Sequence, residues 1–199
     1  MTRSESPLVA RRRERTRAEI TLAALELAED EGFSATTVDD IALRAGVSVR
    51  TFYRYCSDKV DALAAEMETF PTLFAHHLAQ LPPEGSVAEA VRLSIHAAMA
   101  SAEVLEVRRR IIVVMQSEPQ LRERWFEAWR STRLTVIESL SRWPSVREQN
   151  PLLVHAGAGA LVGVMSAVIE FWVTQQREDL ESELCDALDA IGPTVPGWA

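Results

Sequence analysis

Cysteine is nearly absent from this 199-residue sequence. Cys56 and Cys185 stand far apart, which gives neither a disulfide framework nor zinc-ligand spacing, and points to a reducing cytoplasm. Glycine and proline are scarce, and no segment alternates apolar and polar residues as a strand would. No repeat at a fixed period is found. The start, Met1 to Ser6, lacks an apolar stretch behind a basic segment, so no export signal is expected. Enzyme signatures are missing too. There is no Glu-x-x-His pair for a carboxylate-bridged metal, no Gly-rich phosphate loop and no Gly-x-Ser-x-Gly elbow. The four histidines form no sequence-local site. Neither a metal nor a cofactor is expected.

What is present is an ordinary globular composition, 47% apolar and 25% charged, long enough to bury a core. The net charge of −8 argues at first against nucleic acid. Its distribution says otherwise. Residues 1–60 carry ten basic and ten acidic side chains, so the whole deficit lies in residues 61–199. Residues 1–17 alone hold six arginines against two glutamates. An acidic body with a basic N-terminal arm permits local phosphate binding.

The periodicity predicts a nearly all-α chain. The first helix runs from about Arg13 to Glu31, with Ile20, Ala24 and Leu27 on one face and Gly32 as its C-terminal cap. A short second helix begins at Thr37, which with Asp40 has capping-box spacing. Its apolar face is Val38, Ile41, Ala42 and Ala45. Gly46 supplies a turn, and Ser48 caps a third helix, Val49 to Tyr55. Ser57 caps a fourth that ends on meeting Pro71, and a new helix follows to Leu81. Pro82 to Gly85 is a loop, and Ser86 with Glu89 caps a helix from Val87 to about Ala102. Further helices are expected from Leu105 to Gln116, from Gln120 to about Trp143, from Leu152 to Gln176 and from Leu180 to Ile191. The segment from Pro144 to Pro151 reads as a loop and the tail from Gly192 as frayed. Leu152–Ile169 is 18 residues without a formal charge, which touches the length of a membrane span. Four alanines, three glycines, His155, Ser166 and the adjacent Glu170 favour a buried or interface helix instead, with no membrane partner.

Residues 37–55 therefore have the layout of a helix-turn-helix. Val38, Ile41, Ala42 and Ala45 can pack on Val47 and Phe52, which leaves Val49, Arg50, Tyr53 and Arg54 on the outer face of the second helix. A helix of this size fits the major groove of B-DNA, where arginine pairs with guanine and hydroxyls suit phosphate. Taken singly, Arg50 and Arg54 could equally be solvated arginines. Tyr55 fits either core or phosphate contact, and Phe52 belongs to the core. The run Arg11-Arg12-Arg13 reads as a mobile arm whose entry into the minor groove stays open.

The stretch from Arg15 to Leu63 resembles the DNA-binding domain of the tetracycline-repressor (TetR/AcrR) family. Gly32-Phe33, Thr36-Thr37-Val38, Ile41-Ala42, Ala45-Gly46-Val47-Ser48, Thr51-Phe52-Tyr53 and Lys59 match in register over about 50 residues. The resemblance implies that Ser48, Val49, Arg50, Thr51, Tyr53 and Arg54 lie on the recognition helix. It implies phosphate contacts for Thr37 and Lys59, with Arg15 and Arg17 in or near the N-terminal arm. One position departs: the family usually has an aromatic where this chain has Cys56, so looser packing beside Tyr55 is expected.

The same resemblance divides the chain into a DNA-binding domain, residues 1–62, and a helical effector-binding and dimerisation domain, residues 63–199. Candidate effector-pocket residues are Phe70, Phe74, His77, Met99, Ile112, Met115, Trp129, Met165 and Ile169, each of which is equally suited to ordinary core. His77 and His96 fall on largely apolar faces. The helix bearing Gly157, Gly159 and Gly163 shows a small-residue face. With Leu184 and Leu188 on the last helix, it is the candidate for a two-fold four-helix interface. The function expected is a homodimeric repressor that binds a near-palindromic operator and is released by a small lipophilic effector. A helical-bundle enzyme and an effector-free DNA-binding protein are the alternatives. Lack of an internal pocket of a few hundred cubic ångströms would favour the latter.

Overall fold

The computed structural model describes residues 7–99, 102–175 and 179–199. Expectations that fall on Met1 to Ser6, on positions 100 and 101 and on Gln176 lie outside these residues. Among the described residues there are ten α-helices and no strand. They are α1 (Pro7–Glu31), α2 (Val38–Arg44), α3 (Val49–Tyr55), α4 (Lys59–Gln80), α5 (Val87–Ala98), α6 (Ala102–Ser117), α7 (Pro119–Leu140), α8 (Pro144–Arg147), α9 (Pro151–Thr174) and α10 (Leu180–Ile191). A 3-10 turn, Gly192–Thr194, follows.

Local chemistry explains most boundaries. Thr37 accepts from the Asp40 N–H while Asp40 accepts from the Thr37 N–H, a full capping box for α2. Gly46, at φ 66°, carries the left-handed turn after it. Its N–H bonds to Leu43 O and that of Val47 to Ala42 O, the paired bonds of a Schellman stop. Ser48 and Ser86 accept from the N–H groups of Thr51 and Glu89 and start α3 and α5.

Five expectations are corrected. Helix α1 begins at Pro7, so Arg11, Arg12 and Arg13 are helical rather than part of a mobile arm. Asp58, not Ser57, caps α4. That helix runs unbroken through Pro71 instead of stopping there. The ring removes one helical N–H, but Phe70, Pro71 and Phe74 are all buried, and that burial outweighs one missing bond. The segment after Trp143 forms the four-residue α8, with Pro144 at its first position.

The fifth correction is the tail, which is docked rather than frayed. Gly197 O and Trp198 O accept from the N–H groups of Val87 and Ala88, and so satisfy donors that the first turn of α5 leaves open. Val195 is buried, and Gly192 sits so close to the Trp198 indole that a Cβ there would lie 2.0 Å from its Nε1.

Helix α4 is the central column and packs against α1, α5, α6 and α7; α9 closes the far side against α6, α7 and α10. The boundary expected between residues 62 and 63 falls inside α4, so one helix joins head to body. Helix α9 is long and apolar enough to cross a membrane by length and composition. Its inner face, including Ala158, Leu161, Met165, Ile169 and Trp172, is part of the body's core.

Candidate DNA interface and effector cavity

The second helix of the helix-turn-helix is aimed by burial. Phe52 is fully buried and Cys56 is 2% exposed, so α3 is rooted by those two positions and its other faces turn outward. Ser48, Arg50, Tyr53 and Arg54 are exposed, while Val49, Thr51 and Tyr55 are half-buried. Arg50 has no hydrogen-bond or ion-pair partner among the described residues. The Arg54 guanidinium lies 5.0 Å from the centre of the Tyr55 ring. A groove of about 750 Å³ runs between α1 and α3, and is lined by Arg12, Arg13, Thr16, Ser48, Thr51, Arg54 and Tyr55. Three arginines beside hydroxyl donors suit a phosphate backbone. Arg12 and Arg13 were missed as site residues. The signal was the basic run itself, had the helix been carried back to Pro7.

Four expected DNA contacts are engaged within the chain. Arg17 donates to Tyr55 O at 2.6 Å and approaches Asp61 at 3.4 Å, so it fastens the end of α3 to α1 and α4. Lys59 donates to Phe33 O (2.8 Å), Ser34 O (3.3 Å) and Thr36 O (3.0 Å), and its ammonium lies 4.8 Å from the Phe33 ring centre. All three donors of the ammonium are thus engaged on the α1–α2 loop, so without DNA Lys59 clamps that loop. Thr37 is exposed, but its hydroxyl is committed to Asp40. Arg15 is exposed and pairs with Glu19 on its own helix. Cys56, where an aromatic was expected, belongs to the buried core of the head, and burial pushes its thiol up to about 11.

In the body, the expected pocket residues separate. Phe70, Met99, Ile112 and Ile169 line one cavity, together with Glu66, Met67, Arg108, Trp125, Trp172 and Leu180. Trp129 stacks behind Phe70 with ring centres 6.2 Å apart. Phe74, Met115 and Met165 are core residues away from this cavity, and His77 is half-buried beside His76 on α4, also outside it. His96 is not on an apolar face: it is exposed and pairs with Glu181 at 2.9 Å. The free volume of the cavity is about 20 Å³, room for roughly one water. Its wall is poorly satisfied. Arg108 is 8% exposed, its Nε makes no hydrogen bond, and its partner Glu66 stands 3.9 Å away. Burial holds the Arg108 pKa below the ordinary arginine value. The indole Nε1 atoms of Trp129 and Trp172 are also buried without acceptors, whereas that of Trp125 reaches Glu170 at 3.0 Å.

One salt bridge and one hydrogen bond tie α1 to the helices that reach this region. Arg110, two residues beyond Arg108, grips Glu29 of α1 in a two-point bridge at 2.9 and 2.5 Å. Thr21 of α1 donates to Ala62 O at the start of α4. Helix α6 therefore touches the cavity with one arginine and the head with another.

The expected dimer residues divide as well. A Cβ at Gly159 or Gly163 would meet nothing within 4 Å; Gly163 is exposed and Gly159 half-buried, and they share a stripe with the exposed Leu152, Ala156, Ala167 and Phe171. Gly157 points inward, where a Cβ would come within 3.0 Å of Pro196 in the tail. Leu184 and Leu188 are buried within the same chain. For α10 the inward face was mistaken for the outer one, because an amphipathic helix shows one apolar stripe and the sequence does not say which neighbour covers it.

Residues 20–67 match the family of bacterial regulatory proteins of the tetR type, and residues 81–196 match the MftR C-terminal domain. Over its length the chain is similar to the mycofactocin biosynthesis transcriptional regulator MftR of Mycobacterium tuberculosis, at 26% identity over 92% of this chain and 93% of that one. The fold is shared with NalD, the secondary repressor of the MexAB-OprM multidrug efflux pump in Pseudomonas aeruginosa (TM-score 0.60, 21% identity, 92% of this chain and 96% of that one). It is shared also with SmeT, the repressor of the Stenotrophomonas maltophilia multidrug efflux pump SmeDEF (TM-score 0.63, 22% identity, 87% of both chains). With a helix-turn-helix head of the one type and a second half of the other, which alone covers more than half of the residues, the chain belongs to the tetracycline-repressor family of bacterial transcriptional regulators.

Proposed function

We propose that this regulator acts in the cytoplasm as a homodimeric repressor, bound to a near-palindromic operator and released by a small apolar effector held in its second domain. The observation that carries the reading is the outward face of α3, where Arg50 stands exposed and unpartnered beside Tyr53 and Arg54. A guanidinium with no partner among the described residues is free to form the two-point contact with guanine O6 and N7. Two such heads reading one site need a two-fold axis, and the largely exposed stripe Leu152–Gly159–Gly163–Phe171 on α9 is a surface on which a second copy could pack closely. The repressor names of NalD and SmeT support repression over activation.

The test is fluorescence anisotropy on an operator selected from random duplexes. Arg50→Ala is expected to lose about 1–3 kcal/mol on the selected site and little on random DNA. Equal losses on both would remove the base-reading role. Light scattering of the wild type supplies the second arm, since a monomer at micromolar concentration would overturn the dimer.

A second reading is favoured by one observation: the 20 Å³ cavity is far below the usual ligand pocket. On that reading the protein binds DNA without an effector. Linkage separates the two, because an effector that releases operator must itself be weakened by operator to the same factor.

A further inference from the structure

We propose that the effector is an apolar molecule ending in a carboxylate, and that the carboxylate is taken by Arg108 at the wall of the α4–α6–α9 cavity. The inference rests on the effector-responsive reading above and adds the chemical class and the anchoring residue. Arg108 is a planar, permanently charged donor set in an apolar wall formed with Phe70, Ile112 and Ile169. Its Nε is buried and unbonded, and Glu66 at 3.9 Å is too far for a hydrogen bond. A buried charge in that condition carries a desolvation cost that Glu66 offsets only in part. The depressed pKa of Arg108 is the same cost seen from the titration side.

Trp172 lines the same cavity and also keeps a buried Nε1 without an acceptor. The unmet groups are thus donors, and what satisfies donors is an acceptor-only group. A carboxylate is the smallest anion that offers two in-plane acceptor oxygens to a guanidinium fork, and the narrow cavity disfavours a bulkier head. The apolar walls fix the rest of the molecule as hydrocarbon. Met67 and Met99, which line the cavity, have unbranched side chains that can swing aside to admit it. Glu66, with about a third of its side chain exposed, can turn to water when Arg108 is taken.

The probes are dodecanoate, dodecanol and dodecylammonium, below their micelle concentrations, titrated into the full chain. Tryptophan emission reports occupancy, because Trp125 and Trp172 line the cavity. Dodecanoate is expected to bind about tenfold or more tighter than the alcohol, and the ammonium weakest. In Arg108→Met the acid-over-alcohol preference should fall to near unity while the alcohol still binds. The substitution itself should fold, since Glu66, with about a third of its side chain exposed, is left facing water rather than buried alone. Arg108→Lys, which keeps the charge but loses the fork, should fall between. Equal binding of all three probes, or an acid preference that survives in Arg108→Met, overturns the inference. Acid binding through Arg108 that leaves operator affinity unchanged upholds the anchor and overturns the effector-responsive reading instead.

Discussion

The head and the body use arginine in opposite ways. In the head, Arg50 and Arg54 are exposed with no acidic partner among the described residues, and Arg12 and Arg13 line an open groove. Their hydration is intact, so they lose little by waiting and exchange water for phosphate or base when DNA arrives. In the body, Arg108 is buried and its Nε unbonded, and Arg109 lies 4.6 Å over the Trp172 ring with a buried Nη2 that has no acceptor. Those groups have lost water without replacing it. The body is otherwise closed on itself, with its tail satisfying the first turn of α5. The lesson is that an open donor on a surface marks a partner of any size, while an open donor in a closed core marks one small enough to enter.

The sharpest way to break this comparison is to open the body by force. Gly192→Leu places a Cβ against the Trp198 indole and should expel the tail, which uncovers Val195 and the N–H groups of Val87 and Ala88. A loss of about 3 kcal/mol or more is expected in urea unfolding. A loss below about 1 kcal/mol would show that the tail does not close the body. In the head, Lys59→Ala should cost about 1–3 kcal/mol of stability by freeing three loop carbonyls. Arg50→Ala should leave the melting temperature unchanged and act on operator alone. If Lys59→Ala instead melts normally and weakens all DNA with a flatter salt dependence, Lys59 serves phosphate and the clamp is wrong.

Legibility followed the same division. In the head, α2 and α3 were readable to the residue because each is set locally, by a capping box at Thr37, a positive-φ turn at Gly46 and a serine cap at Ser48, whereas the start of α1 and the cap of α4 were not. What the sequence concealed were contacts between distant segments. Nothing near Lys59 announces that its ammonium will reach Phe33, Ser34 and Thr36, and nothing near Arg17 announces Tyr55. In the body, apolar spacing found the helices but not their neighbours. Met165 and Ile169 lie one turn apart, yet only Ile169 lines the cavity. Arg108 escaped notice altogether because a charged residue in a basic run reads as solvated, and only its burial makes it informative. Pro71 misled for a related reason: the local rule against proline was overridden by packing on both sides of it.

The smallest effect expected is a pH dependence that separates the two cysteines. Cys56 closes α3 in the head's core, where burial is the chief cause that lifts its thiol from 9.0 to about 11; Arg17 opposes the lift, and Asp61 and Asp58 add to it. The charged form is the one disfavoured in the folded state, so the folded pKa lies above the unfolded one. Stability tied to the neutral thiol is therefore complete below pH 9 and is lost as pH rises from 9 towards 11. Between pH 8 and pH 10 the loss should be on the order of 1 kcal/mol. Cys185 in the body is only half-buried, and its thiol is shifted in the same direction. The measurement is urea unfolding at both pH values for wild type, Cys56→Ala and Cys185→Ala. Cys56→Ala leaves a small hole in the core and will start less stable at pH 8, so the readout is each protein's change between the two pH values. The alkaline loss should shrink most in Cys56→Ala and less in Cys185→Ala. Were the loss identical in all three, titration of the head's thiol would not contribute, and the burial of Cys56 would have no consequence for how firmly α3 is seated.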